Sequence, residues 1–193
     1  MKSCRFLAAA SGRSTSLRDL LDCGAVAALC RVLDGGRVDD DDDDDGDDGD
    51  DGDDGDDGDG GSRVVDDAAV CLANLATLVA SAAVFVGAPE LLEPLCRVAA
   101  SRRAQAAEFA LLALDRLARD DDVSRAIAAR ATRVVDAPHP KLLDLLVHLA
   151  DLPENLPAVY DAGACRAVLA RVDDPNPATA RVGKVGVHYH FNL

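Results

Sequence analysis

The sequence contains no CxxC pair, no serine or cysteine set in a nucleophile elbow, no glycine-rich phosphate cradle and no tryptophan. Without CxxC there is no recognisable thiol pair for redox chemistry or zinc, and without an elbow or cradle no motif for nucleophilic attack or phosphoryl transfer. The four histidines, His139, His148, His188 and His190, are scattered rather than clustered. His188 and His190 would share one side of a strand, as two metal ligands might be arranged, but no third or fourth ligand accompanies them. The chain therefore reads as non-enzymatic, with no catalytic residue, no metal site and no cofactor. Lysine and arginine form no clustered stripe, which argues against nucleic acid as a partner.

Long apolar runs are also scarce. The 22 uncharged positions from Ala68 to Pro89 could span a bilayer by length, but they are mostly alanine, hold Asn74 and Ser81, and are flanked by Asp66, Asp67 and Glu90. No membrane span is expected. The N-terminal "MKSCRFLAAASGRSTSLR" has the basic and hydroxyl character of a transit peptide, and its apolar core is too short for a secretory signal. The six cysteines read as small core residues in a reducing compartment, because Cys23 and Cys30 would sit about 10 Å apart on one helix, beyond disulfide reach. The expected location is intracellular, cytoplasmic or nuclear.

What the chain has in excess is aspartate. Sixteen of the 35 acidic residues fall in "VDDDDDDDGDDGDDGDDGDDGDGG", residues 38–61, and the 19 left face 20 lysines and arginines. The formal charge of −15 is thus local, and the remainder is close to neutral. As an EF-hand counted from Asp41 the tract has glycine at the sixth position, Gly46, but Gly52 where the twelfth needs glutamate. Its DDG triplets hold no aliphatic residue, which excludes the calcium-binding β-helix repeat. Two readings remain: a disordered loop tolerated because closure entropy rises slowly with length, or an acidic arm that attracts basic proteins in the manner of a histone chaperone, or divalent cations.

Outside the tract, apolar residues recur at helical spacing between short breaks. Leu17, Leu20 and Leu21, then Val26, Leu29 and Leu33, predict two short helices around Cys23-Gly24. Val65 to Val79 is apolar nearly all round and predicts a helix buried on most sides. A short helix stopped by Gly87 and Pro89 follows, then one carrying Pro94 in its first turn. The longest helix is expected in "RRAQAAEFALLALDRLAR", with Ser101 as N-cap. Asp120 to Asp122 read as linker and as partners of a helix N-terminus. "PKLLDLLVHLADL" is a further apolar helix, and Gly163 breaks the last pair. Beyond it, Val185, Val187, Tyr189 and Phe191 alternate as a strand would.

The unit repeats. Gly24 and Gly87 are about 41 positions apart once the tract is discounted, and Gly87 and Gly163 are two spans of 38. A period near 40 with three helices per unit belongs to helical solenoids. "DCGAVAALCRVLD" and "DAGACRAVLARVDD" resemble the armadillo-repeat turn between first and second helices, and "AAVCLANLA" at 68–76 resembles its third-helix signature. The third unit departs from the pattern, with Arg130 where glycine is expected. The resemblance implies a right-handed all-α solenoid over residues 1–174, interrupted by the acidic insertion at 38–61 and followed by a tail at 175–193.

It also implies a protein-binding scaffold that holds an extended peptide in a concave groove lined by third helices. In such folds a recurrent asparagine reads the peptide backbone, since an amide both donates and accepts. Asn74 occupies that position here, and the matching Leu-Ala steps put Arg116 and His148 in its place on the next two third helices. Val70 stands where nuclear-import members carry tryptophan, and Arg116 would repel a basic peptide. If the chain is a fragment of a longer solenoid, its end faces would associate end to end.

Overall fold

The structure is a computed structural model, and it describes residues 19–35 and 60–171 together with Ala180. The bulk of the acidic tract, Cys4, the N-terminal segment, the alternating tail and His188 and His190 lie outside the described residues. Among the described residues there are helices and no strand.

After a helical turn at 19–22, the elements are α1 (Ala25–Gly35), α2 (Gly60–Leu75), α3 (Val79–Gly87), a 3-10 turn (Pro89–Leu91), α4 (Leu92–Ala99), α5 (Ala104–Leu117), α6 (Asp121–Ala128) and α7 (Ala131–Val134). They continue as α8 (Leu142–Ala150), a second 3-10 turn (Pro153–Asn155), α9 (Leu156–Asp161) and α10 (Ala164–Leu169). These fall into three-helix units, of which the last shows its first two helices among the described residues. The third helices α2, α5 and α8 pack in sequence, as do the second helices α1, α4 and α7, and the first helix α3 packs on α6.

Small side chains permit this close stacking. On α5, Ala106, Ala107, Ala110 and Ala113 are fully buried beside Leu111 and Leu114, and on α2 Ala68, Ala69 and Ala73 are buried beside Leu72 and Leu75. Alanine costs no side-chain entropy on burial and lets two helix backbones approach, while the leucines supply most of the apolar area removed from water. One continuous core results, running from Val26 on α1 to Val168 on α10.

Several local expectations are revised. The apolar stretch to Val79 is not one helix: α2 ends at Leu75 and α3 begins at Val79, with Thr77 donating through its hydroxyl to the Asn74 carbonyl at 2.6 Å. The longest described helix is α2, with 16 residues, rather than α5, with 14. Ser101 does not cap α5. Its hydroxyl donates backwards to the Val98 carbonyl at 2.8 Å, closing α4, and Arg103 holds the cap position of α5 without a side-chain bond. Asp120 does cap α6, accepting from the backbone N–H of Asp122 and Val123, both at 3.1 Å.

The three glycine breaks are not equivalent. Gly24 (φ 75°) and Gly163 (φ 90°) lie in the left-handed region that favours glycine, whereas Gly87 is the last residue of α3 and the turn there is made by Ala88 and Pro89. Arg130 closes the third turn with φ −111° and ψ 9°, which needs no glycine. The second helix that follows, α7, has only four residues. The third unit is therefore the shortest: a hydrogen bond from Arg116 on α5 to the preceding third helix spans 43 positions, and the matching bond from His148 on α8 spans 33.

Candidate functional site

The third helices bring Asn74, Arg116 and His148 to the same place. Each precedes a buried leucine and a buried alanine near the C-terminal end of its helix, and all three side chains are half-buried. The register read from the Leu-Ala steps is thus the register of the packed row. Four residues earlier stand Val70, Leu112 and Asp144, the first two half-buried and the last exposed.

Neither Arg116 nor His148 simply points into solvent. Arg116 Nη1 donates to the Ala73 carbonyl of α2, and His148 Nδ1 lies 2.6 Å from Asp115 Oδ1 of α5. In both cases the side chain reaches the residue just before its counterpart in the preceding unit. The row is therefore stitched together by its own members, and part of each polar side chain is committed to holding adjacent units in register.

Charge along the row is mixed. Between α5 and α8 lie Asp115, Asp144, Lys141 and His148, and partial loss of hydration around the Asp144 carboxyl, although the residue stays exposed overall, followed by the neighbouring Asp115, raises it above its ordinary range against the pull of Lys141 and His148. His139, with Nε2 4.0 Å from Glu108, is held below the ordinary imidazole range, chiefly by burial, although Glu108 acts in the opposite sense. No group of three or more metal-ligating side chains is found among the described residues.

A cavity opens at the end of the same row. It has a volume of about 450 Å³ and lies where α2 runs into α3 and α5 runs into α6. Ala76, Leu78, Ala82 and Leu117 give it an apolar floor, and Arg116, Arg119 and Asp120 place charge on its walls. The sequence pattern singles out Arg116 at this end of the row and does not single out Arg119 or Asp115. Arg119 lies three positions beyond Arg116 and Asp115 immediately before it, so scanning one helical turn on either side of the Leu-Ala step would have found both.

The second helices carry a separate seam. Arg97 on α4 pairs with Asp34 on α1 at 2.7 Å, Glu93 on α4 faces Arg130 at 3.7 Å and Arg133 at 3.4 Å, and Arg166 on α10 faces Asp136 at 3.7 Å. Arg171 fastens the last described turn by donating to the carbonyls of His139 at 3.1 Å and Ala137 at 2.9 Å.

No protein-family model matches the chain, and no curated protein matches it. Solved structures do. A designed armadillo repeat protein in complex with the peptide (KR)4 superposes with a TM-score of 0.67 at 16% identity, over 94% of this chain and 71% of that one. Two engineered proteins solved by the Northeast Structural Genomics Consortium are similar: one at TM-score 0.67 and 20% identity over 94% of this chain and 70% of that one, the other at 0.66 and 17% over 93% and 40%. The fold is an armadillo-like helical-repeat solenoid.

Proposed function

We propose that the chain is a non-catalytic binding scaffold that holds an extended segment of a partner protein along the α2–α5–α8 row. The observation that carries this reading is the common register of Asn74, Arg116 and His148 on three successively packed third helices. An extended strand repeats its backbone about every 6.6 Å for two residues, and helices packed side by side lie about 8–10 Å apart, so a peptide crossing the row obliquely meets one such side chain per unit. The designed protein bound to the peptide (KR)4 supports the class of ligand, a peptide, and not its charge. Arg116 stands in the middle of the row and opposes a basic peptide.

Selection from a random library of extended peptides tests the reading. Selected peptides should shift backbone amide resonances of α2, α5 and α8 in ¹⁵N-labelled protein, and Asn74→Ala should weaken them. Peptides that map instead to the second helices α1, α4 and α7 would refute it.

A further inference from the structure

We infer that the cavity at the ends of α2 and α5 is a specificity pocket for an acidic side chain flanked by an apolar one, set into the extended peptide that the row binds. This rests on the proposed function and names the ligand chemistry of one part of that face.

Three observations lead there. The cavity is about 450 Å³, roomy enough for a pair of side chains rather than a water or two, and it adjoins the position of Arg116 in the row. Its charged lining is two arginines against one aspartate, a net of one positive charge. That aspartate, Asp120, already accepts two backbone N–H groups through Oδ1 as the cap of α6.

The carbonyls nearest the two guanidinium groups already have backbone partners. Among the last carbonyls of α2, that of Leu72 accepts from Ala76 N–H, that of Asn74 from the Thr77 N–H and hydroxyl, and that of Leu75 from Leu78 N–H. Only the Ala73 carbonyl takes an arginine, through a single Nη1 donor of Arg116. A guanidinium has five N–H donors, so Arg116 keeps most of its own and the exposed Arg119 adds a second fork. Thr77 and Ser81 spend their hydroxyl protons on backbone carbonyls, each at 2.6 Å, and do not compete as donors to an anion.

The apolar floor of Ala76, Leu78, Ala82 and Leu117 sets the second requirement. A bare carboxylate would leave it wet, whereas a leucine-sized side chain next to the acid would cover it. The acidic tract of the same chain fails this requirement, since between Asp39 and Gly61 it contains only aspartate and glycine. A separate peptide is the better occupant.

The probes are two fluorescein-labelled octapeptides, one alternating leucine and glutamate and one with glutamine replacing glutamate, titrated into the full chain by fluorescence anisotropy. The glutamate peptide should bind about tenfold more tightly, with the gap narrowing at high salt. Arg119→Gln, which breaks no described hydrogen bond, should narrow the gap at least about threefold by weakening the glutamate peptide more than the glutamine one, and Arg119→Lys should restore part of it. Equal binding of the two peptides, a gap undiminished by Arg119→Gln, or no binding of the glutamate peptide would each overturn the pocket. Asn74→Ala separates the two readings. If it weakens both peptides while Arg119→Gln weakens neither, the groove stands and the pocket falls; if only Arg119→Gln matters, the pocket stands without the groove.

Discussion

Replacing Gly24, Gly87 and Gly163 singly by alanine probes the repeat turns, because the three share a sequence context but not a conformation. At Gly163 an added Cβ would meet only Arg166 Nη2 at 3.7 Å, an ordinary contact, and at Gly24 it would meet nothing within 4 Å. The cost at both is therefore backbone strain alone, about 1–2 kcal/mol for an L-residue held in the left-handed region. The reduced entropy of the unfolded chain offsets about 0.4–1 kcal/mol of this. The net expectation is a loss of about 0.5–1.5 kcal/mol at each.

Gly87 differs, since it ends α3 with negative φ and nothing lies within 4 Å of a new Cβ. There alanine should stabilise by about 0.5–1 kcal/mol, through helix propensity and the unfolded state together. Gly163→Ala and Gly87→Ala thus differ by about 2 kcal/mol, or roughly 4–8 °C in Tm for a chain of this size. Thermal and urea unfolding followed by circular dichroism at 222 nm measures both. If all three alanine variants shift in the same direction by similar amounts, the distinction between left-handed and helical glycines is wrong.

Three further outcomes follow from the packing. Asn155 is buried and donates to Ser124 Oγ at 2.9 Å and to the Leu149 carbonyl at 3.0 Å, so Asn155→Ala should destabilise by about 1–3 kcal/mol in urea titrations, and Asn155→Asp by more. Burial pushes the thiols of Cys30 and Cys96 up to about 12, so in native protein at pH 8 a thiol reagent should leave both unmodified and react first with exposed Cys23, then more slowly with half-buried Cys165, whereas buried Cys71 should appear only in denaturant; rapid native labelling of Cys30 or Cys96 would contradict the core assignment. Asp144 has a folded-state pKa above its unfolded value, so its ionisation opposes folding: the penalty is absent below the unfolded value of 3.8 and grows as pH rises through the folded one. Asp144→Asn should then raise Tm slightly at pH 7 and not at pH 3.5, the effect staying small because solvent screens an exposed side chain.

Much of the fold was legible because it depends on local signals. Helix spacing, the glycine breaks at 24 and 163 and the aspartates 120–122 at a helix N-terminus each act within a few residues, and all three appear where the sequence puts them. Where a neighbouring residue could do the same job, the reading slipped. Pro89 made Gly87 unnecessary as a turn, the Arg130 backbone turned without entering the left-handed region, and Ser101 closed the helix before it instead of opening the one after. At the candidate site the Leu-Ala steps fixed which residues share the row. That Arg116 would lean on Ala73 and His148 on Asp115 could not be read, because those partners lie a whole unit away and depend on how closely the units stack.

The two seams differ in their sensitivity to solvent. The ion pairs joining second helices are largely exposed, with Asp34 and Arg97 side chains 58% and 49% accessible, whereas along the third helices Arg116 bonds to a backbone carbonyl and Asp115 is only 17% accessible. Mobile ions weaken the first kind of contact far more than the second. A stack joined along one margin by salt-sensitive contacts and along the other by salt-resistant ones should respond as a laminate does, one margin slackening as ionic strength rises. The expected outcome is a change of curvature with electrolyte, which small-angle scattering across a salt series would read directly; an unchanged profile would count against it.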